Sequence, residues 1–259
     1  MTPHTAKNAR AYDERAHAWA ARIADDAGHK YLEKPAMENE LADDLEGDAV
    51  LCIGVGSGTE LAELLRRRPA CVVAIDISME LLRIASARYP SVRFLRMDMM
   101  DVALRDRTFD YVYSSLAFHY ADDWERLLGG VHRVLRPGGT LLFSTHHPGY
   151  WAQKPRTGTT YTTGGGMILT EHVATLPAGG VEIIYYNHPD ERSITESVHG
   201  AGFIVQACVA PDVVRLSAAR YAGLDPRERA RYDDIKTKNS PLPLFLVVRA
   251  VKTDSSSPR

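Results

Sequence analysis

The chain has 259 residues and a formal net charge of −2, with 45% hydrophobic and 25% charged residues. These values are typical of a globular protein and exclude a disordered or fibrous chain. The length fits one elaborated domain built around one hydrophobic core. The near-zero charge provides no basic face for a nucleic-acid backbone, so we expect no nucleic-acid partner.

The sequence has no pattern typical of a targeting or membrane segment. MTPHTAKNAR, at the N-terminus, lacks the apolar stretch of a signal sequence, and no window approaches the ~18 apolar residues of a membrane span. The cysteines have no metal-ligand spacing, and Cys52 and Cys71 lie in apolar runs that place them in the core. We therefore expect a cytoplasmic protein without a membrane partner or a bound metal, either a monomer or a homodimer.

The first 47 residues are polar with helical spacing, and from Asp48 strands alternate with helices. The predicted strands of this part span 49–53, 71–76, 92–97, 109–115, 140–145, 203–209 and 243–251. The predicted helices span 58–68, 79–89, 123–135, 191–202 and about 227–235, and Pro137-Gly138-Gly139 reads as a stop before the fifth strand. Near-continuous apolar strands separated by helices indicate a parallel sheet covered on both faces.

One segment interrupts this alternation. Residues 146–186 are rich in Gly, Thr and Tyr, and the runs 167–176 and 181–186 alternate like strands around a turn at Gly179-Gly180. We interpret the segment as a β-rich insertion. The prediction is thus a single domain over 1–259, with a helical cap at 1–47, a cofactor-binding core at 48–145, an insertion over the acceptor site at 146–186, the rest of the core at 187–252 and a disordered tail at 253–259.

A glycine-rich turn follows the first strand, with Gly54, Gly56 and Gly58 in LCIGVGSGTE. Glycines let the backbone approach a ligand closely at a strand-to-helix turn. Asp76 ends the next strand, where its carboxylate can accept hydrogen bonds from both hydroxyls of a ribose. A dinucleotide fingerprint reads G-x-G-x-x-G, whereas this turn reads G-x-G-x-G, which favours a nucleoside without a pyrophosphate.

Five motifs in order then identify a resemblance. VLCIGVGSG, VVAIDIS, FLRMDMMD, FDYVYSSLAFHY and HRVLRPGGTLLFS, between residues 48 and 148, resemble the class I S-adenosylmethionine-dependent methyltransferases, particularly those that act on small molecules. The resemblance implies a doubly wound, Rossmann-like α/β fold. Its seven-stranded sheet would be mostly parallel with an antiparallel last strand. The cofactor would be S-adenosylmethionine, with S-adenosylhomocysteine as the product.

The resemblance also implies how the methionine part of the cofactor binds. Gly54, Gly56 and Gly58 would line it, and the backbone carbonyl of Ser114 would meet its ammonium group. One departure concerns the first strand. The family usually has an acidic residue two positions before the first glycine, and this chain has Cys52. We expect cofactor binding to persist.

The nucleoside part has its own implied residues. Asp76 would hold the ribose hydroxyls, Ile77 would pack on the adenine, Asp98 would accept a hydrogen bond from the adenine amino group, and Met99 would offer its backbone N–H. Similar enzymes close N-terminal tyrosines over the cofactor. Tyr12 and Tyr31 are the candidates for that role here, although a structural role fits them equally well.

Histidines are the candidate bases. Methyl transfer needs chiefly in-line positioning, and a base is required only if the acceptor must lose a proton. His119 follows the fourth strand, and His146 and His147 follow the fifth, at the sheet edge where ligands bind. Adjacent residues of an extended segment point in opposite directions, so at most one of His146 and His147 faces the site.

The insertion supplies aromatic side chains suited to walls of an acceptor pocket, or equally to ordinary packing. They are Tyr150, Trp151, Tyr161 and Tyr185. The predicted function is methyl transfer to a small organic acceptor, with oxygen narrowly preferred over nitrogen or carbon because histidines are available as a base. The alternatives are a non-catalytic subunit that binds S-adenosylmethionine or S-adenosylhomocysteine, and a nicotinamide-dependent oxidoreductase, which would need the longer glycine fingerprint.

Overall fold

The computed structural model describes residues 2–153, 160–162, 168–176, 179–188, 190–239 and 242–253. Within these ranges, the side chains of 151–153, 160–162, 168–176, 179–182 and 186–187 are not described. All statements below refer to the described residues.

The chain begins with helices and then enters the alternating part. The first helices are α1 (Pro3–Glu14), α2 (Ala16–Ala24), a π-helical turn (His29–Glu33) and α3 (Lys34–Glu40). The alternating part comprises β1 (Ala49–Ile53), α4 (Leu61–Arg66), β2 (Cys71–Asp76), α5 (Met79–Arg88), β3 (Arg93–Arg96), β4 (Phe109–Ser114), a 3₁₀ turn (Phe118–Tyr120), α6 (Trp124–Val134) and β5 (Leu135–His146).

A second group of elements completes the fold. It contains α7 (Pro148–Gln153), β6 (Thr160–Thr162), β7 (Ile168–Leu176), β8 (Gly179–Asn187), α8 (Glu191–Gly200), β9 (Phe203–Val209), α9 (Ala218–Ala222), α10 (Pro226–Lys238) and β10 (Phe245–Lys252). Strands β6, β7 and β8 form a small antiparallel sheet of their own. No helix among the described residues is long and apolar enough to cross a membrane.

The main sheet has seven strands in the order β3-β2-β1-β4-β5-β10-β9. Strands β1 to β5 pair in parallel, and β10 runs antiparallel to both β5 and β9. The central strands are buried because helices cover both faces, and Val50, Leu51 and Ile53 have no exposed surface. The predicted doubly wound sheet with an antiparallel last strand is therefore confirmed.

Three local predictions differ from the structure. Strand β5 begins at Leu135 and runs through Pro137-Gly138-Gly139, because Gly138 adopts a positive φ and the pairing with β4 shifts register between Phe109 and Tyr111. Helix α4 begins three residues later than predicted, because the glycines before it have positive φ. Cys71 is exposed at the first position of β2, not buried in the core.

Candidate functional site

A cavity of about 980 Å³ opens beside the carboxyl ends of β1, β2 and β4. Residues of the glycine loop and of the ends of β2 and β4 line one part of it. Side chains from α1, α2, the 3₁₀ turn, β5 and β8 line another part. Both the volume and the place at the carboxyl edge of an α/β sheet are typical of sites for small organic ligands.

The glycine loop is shaped by three residues with positive φ, a conformation that favours glycine. A Cβ on Gly54 would come 2.3 Å from the Cβ of Ala117, so this glycine permits close packing of two loops. A Cβ on Gly56 would meet no atom within 4 Å, which leaves open cavity beside the backbone. Gly58 does not line the cavity and packs against Leu61 and Ala85.

Asp76 ends β2 with its carboxyl group fixed by the backbone. Its Oδ2 accepts a hydrogen bond from the N–H of Gly56 at 2.8 Å, and its Oδ1 accepts one from the N–H of Ser78 at 2.9 Å. Burial raises the pKa of Asp76, and these backbone hydrogen bonds act in the opposite direction. The arrangement fixes the orientation of both oxygens beside the glycine loop.

The other predicted nucleoside residues lie in the same part of the cavity. Ile77, Asp98 and Met99 line it, and Oδ1 of Asp98 accepts a hydrogen bond from the N–H of Met100 at 3.0 Å. Ser114 does not line the cavity: it is fully buried, and its hydroxyl donates to the carbonyl of Ile53 at 3.0 Å.

The turn after β4 carries backbone strain at the cavity wall. Leu116 has a φ of +47°, in the left-handed region that a leucine rarely adopts. Its N–H donates a hydrogen bond to the hydroxyl of Ser144 at 2.9 Å, which holds this conformation in place. Strained residues of this kind cluster at functional sites.

An aromatic cluster lines the part of the cavity away from the glycine loop. Tyr12 of α1 and Tyr120 of the 3₁₀ turn share a short hydrogen bond between their hydroxyls. The ring of Tyr185, on β8, lies 5.3 Å from that of Tyr120, and Trp19 packs edge-on at 4.7 Å from Tyr12. Burial raises the pKa of Tyr12, Tyr120 and Tyr185, so their hydroxyls stay protonated.

Two of the three candidate histidines join this cluster. The rings of His119 and His146 stack at 3.6 Å with an interplanar angle of 10°, and the ring of Tyr185 lies 5.0 Å from that of His146. Burial lowers the pKa of His119 to about 3, so its imidazole is neutral at physiological pH. His147 lies outside the cavity, where its Nε2 lies 2.8 Å from a carboxylate oxygen of Glu191.

The remaining predicted residues divide into three groups. Tyr150 lines the cavity. Tyr31 does not, because it faces α10, donates its hydroxyl to Glu228 at 2.7 Å and packs edge-on against Tyr232. The side chains of Trp151 and Tyr161 lie outside the described part of the structure.

Sequence reasoning missed a buried ion-pair cluster in the cavity wall. His29 lies between two carboxylates, with Nδ1 2.9 Å from Oε2 of Glu33 and Nε2 2.7 Å from Oε1 of Glu60. Burial alone would lower the pKa of His29, but the two carboxylates outweigh it and raise the pKa to about 10. The spacing of His29 and Glu33, four residues apart, was the available signal, but the sequence gives no indication that Glu60 completes the cluster.

The N-terminal helices are tied to the rest of the fold by side-chain hydrogen bonds. The amide of Asn8 donates to the carbonyl of Ile184 at 2.9 Å and accepts from its N–H at 2.9 Å. Asp13 accepts a hydrogen bond from the hydroxyl of Ser78 at 2.6 Å. Helix α1 is therefore anchored both to β8 and to the turn after β2, which brings Tyr12 to the cavity.

Comparison with known proteins agrees with this architecture. Residues 51–143 match the family described as "Methyltransferase domain". A malonyl-(acyl-carrier protein) O-methyltransferase of Marinomonas sp. (strain MWYL1) is 36% identical over 104 residues, which cover 39% of this chain and 38% of that relative. The chain thus spans half or less of the length of these relatives.

Solved structures extend the similarity to most of the fold. A S-adenosylmethionine-dependent methyltransferase from Mesorhizobium loti aligns with a TM-score of 0.61 at 24% identity, over 85% of this chain and 97% of that one. The (4+2)-cyclase SpnF aligns with a TM-score of 0.64 at 18% identity, over 98% and 97%. At such identities the likeness shows the fold alone. The domain match over residues 51–143 agrees with the resemblance that the sequence motifs gave, and the solved structures agree with the predicted fold.

Proposed function

From the premise that this chain carries a class I S-adenosylmethionine-dependent methyltransferase domain, we propose that it transfers a methyl group from S-adenosylmethionine to a small organic acceptor. The observation that carries the proposal is the single cavity that joins the glycine loop and Asp76 to the cluster of tyrosines and histidines. A cofactor and an acceptor in one cavity can meet with their reacting atoms in line, which is what methyl transfer chiefly requires.

The residues at the glycine end fit the cofactor. Open space beside Gly56 leaves room for the methionine part next to the loop. The two fixed oxygens of Asp76 are oriented to accept hydrogen bonds from ribose hydroxyls, which are charge-assisted and therefore strong. Ile77, Asp98 and Met99 line the cavity where the adenine would lie. When bound, the cofactor supplies an activated methyl group on its sulfonium.

The aromatic end fits the acceptor. Trp19, Tyr120 and Tyr185 offer ring faces, and the two tyrosines offer protonated hydroxyls, which suit a planar or apolar molecule with a polar group. Tyr12 is bonded to Tyr120, so in this proposal it contacts the acceptor instead of closing over the cofactor, the role expected from the sequence. Residues 1–47 and 146–186 would therefore roof the acceptor side, in agreement with the contributions of α1 and β8 to the cavity.

An oxygen acceptor stays our narrow first choice, and the histidines restrict its chemistry. The low pKa of His119 makes it a weak base, so proton removal from an ordinary hydroxyl would be unfavourable. An acceptor oxygen that is already ionised, such as a carboxylate, needs no base. The relative named as an O-methyltransferase supports an oxygen acceptor, but its similarity covers mainly the cofactor half. In this proposal His119 and His146 position the acceptor.

A non-catalytic subunit that binds the same cofactor is the second candidate, because the cofactor residues would be the same. The cyclase with a similar fold illustrates that the fold alone does not decide the reaction. A cavity with a second, aromatic end favours an enzyme, since a binding subunit has no need of an acceptor pocket. A nicotinamide-dependent oxidoreductase is disfavoured by the short glycine spacing.

Calorimetric titration tests the cofactor half of the proposal. S-adenosylmethionine and S-adenosylhomocysteine are titrated into the wild type, into Asp76→Ala and into the control Asp101→Ala, an exposed aspartate outside the cavity. We expect Asp76→Ala to weaken the binding of both ligands by about 1.5–3 kcal/mol, which is the contribution of hydrogen bonds to a charged group. The control should bind as the wild type does. Absence of binding to the wild type would refute the proposal.

A methyl-transfer assay tests the acceptor half. Carboxylic acids, phenols and amines with one or two rings are screened with cofactor that carries a labelled methyl group. Label in a carboxylic acid or phenol supports the oxygen preference, and label in an amine overturns that preference but not methyl transfer. Tight cofactor binding without transfer to any of these classes would favour the non-catalytic subunit.

A further inference from the structure

The buried cluster of His29, Glu33 and Glu60 carries a surplus charge. Two carboxylates share one imidazolium, so the cluster has one net negative charge. The side chains of the three residues are at most 10% exposed. The other described partners of Glu33 are the neutral hydroxyls of Ser115 and Ser144. A buried charge without a counter-charge is unfavourable, and a cationic ligand would relieve it.

No cationic side chain of the described cavity wall compensates this charge. Each of them already pairs with a carboxylate of its own: Arg22 with Asp26, Arg231 with Asp25, and Lys238 with Asp234. Within the described cavity wall, His29 is therefore the one cationic partner of both Glu33 and Glu60, and the second negative charge of the cluster is not balanced.

The position of this charge identifies the part of a ligand that it faces. Glu60 lines the cavity and lies two residues after Gly58, on the helix side of the glycine loop. Cys52 lines the cavity on the strand side of the same loop and carries no charge, since burial and the nearby Glu60 raise the pKa of its thiol. Two acidic side chains therefore lie beside this loop: Asp76, which is assigned to the ribose, and Glu60, which is left for the methionine part.

We propose that Glu60, held by His29 and Glu33, binds the ammonium group of the methionine part of the cofactor. The inference rests on the proposed function, because it names a further residue of the same site. His29 acts as a positioning residue, since its Nε2 fixes one oxygen of the Glu60 carboxylate. The charge surplus supplied by Glu33 keeps the cluster negative overall, so that a cation binds there.

Ligands that differ only in the amino-acid part separate this role from a structural one. S-adenosylhomocysteine carries the ammonium group, an analogue without the amino group lacks it, and 5′-methylthioadenosine lacks the whole amino-acid part. We expect Glu60→Gln to weaken S-adenosylhomocysteine and S-adenosylmethionine by about tenfold to hundredfold. The two ligands without an ammonium group should bind nearly as tightly as to the wild type.

The matched control is Glu63→Gln, the same chemical change on α4. Its carboxylate pairs with Arg66 and Arg67 and does not line the cavity, so all four affinities should stay unchanged. Binding of 5′-methylthioadenosine reports whether each variant folds. If Glu60→Gln does not fold, Glu60→Asp decides, because it keeps the charge but withdraws it by one methylene. We expect Glu60→Asp to weaken the binding of S-adenosylhomocysteine, and not of the ligands without an ammonium group, by a smaller factor than Glu60→Gln does.

Each other outcome has a definite meaning. An equal loss of affinity for all four ligands would show that Glu60 has a structural role. A loss of affinity for S-adenosylmethionine alone would show that Glu60 acts on the sulfonium. Either result, or no change in a folded variant, overturns the inference. A wild type that binds none of the ligands refutes the proposed function instead.

Discussion

The two ends of the cavity are built in different ways. At the glycine end, the loop, Asp76 and Asp98 lie at or just after the ends of β1, β2 and β3, and backbone N–H groups fix the carboxyl group of Asp76. At the aromatic end, Tyr12, His119 and Tyr185 come from segments far apart in the chain, and contacts between side chains fix them.

This difference separates two kinds of specificity. Backbone geometry at a parallel sheet edge suits a ligand that many related proteins share, because it tolerates changes of side chain. Packing between distant side chains can change without disturbing the sheet, so it would suit the acceptor proposed above. The sequence similarity of residues 51–143 covers the first end and leaves out α1 and β8.

The largest change in the free energy of unfolding is expected from a substitution of His29, next to the glycine end. His29→Gln leaves two buried carboxylates without their cation, which should lower the free energy of unfolding by about 3–5 kcal/mol near neutral pH. Because the folded pKa of about 10 exceeds the ordinary value of 6.5, the imidazolium stabilises fully below pH 6.5. That stabilisation is lost as the pH rises through about 10.

Urea unfolding of wild type and His29→Gln at pH 6.5, 8 and 10 measures this dependence. The difference between the two free energies of unfolding should narrow steadily between pH 6.5 and about 10, because over this range the unfolded chain has lost the proton that the folded protein keeps. The control His199→Gln, an exposed histidine of α8, should leave stability unchanged. A difference that stays constant over this range would mean that His29 is neutral in the folded protein.

A glycine pair tests how strictly the loop backbone is constrained. Gly54→Ala combines a positive φ with a Cβ that collides with Ala117, and should destabilise the fold by about 2–3 kcal/mol. Gly56→Ala has the same backbone strain with open space around the new Cβ, so about 1 kcal/mol is expected. Thermal unfolding compares the two.

A compensating substitution isolates the collision from the strain. Adding Ala117→Gly to Gly54→Ala removes the atom that the new Cβ would meet, and should recover part of the lost stability. Equal effects of Gly54→Ala and Gly56→Ala, with no recovery in the double variant, would show that backbone strain alone governs the loop.

The smallest change in free energy is expected from a substitution at the aromatic end. Tyr12→Phe removes one hydroxyl from the cluster but keeps the ring, at a cost of about 1 kcal/mol. We expect kcat/KM for the acceptor found in the screen to fall by about fivefold, while the affinity for S-adenosylhomocysteine stays unchanged. Tyr221→Phe, outside the cavity with its hydroxyl on Asp233, is the control. A change in cofactor affinity alone would place Tyr12 with the cofactor end.

Much of the glycine end could be predicted from the sequence. Gly54 and Gly56 follow the end of β1 and Asp76 ends β2, and parallel strands bring their carboxyl ends to one edge, so their proximity could be predicted from their positions in the sequence. The alternation of His146 and His147 also predicted that only one of them faces the cavity. Tyr31 could not be assigned in this way, since only the packing of α10 against the N-terminal segment directs it outward.

The sequence by itself determined the α/β sheet, the glycine loop and the acidic residue that follows it, because strand and helix periodicity and local turn chemistry are properties of neighbouring residues. Only the tertiary structure decided which tyrosines line the aromatic end of the cavity, how burial lowers the pKa of His119, and that Glu60 meets His29. These features depend on contacts between residues far apart in the chain, and on the removal of water from around them, which no local pattern specifies.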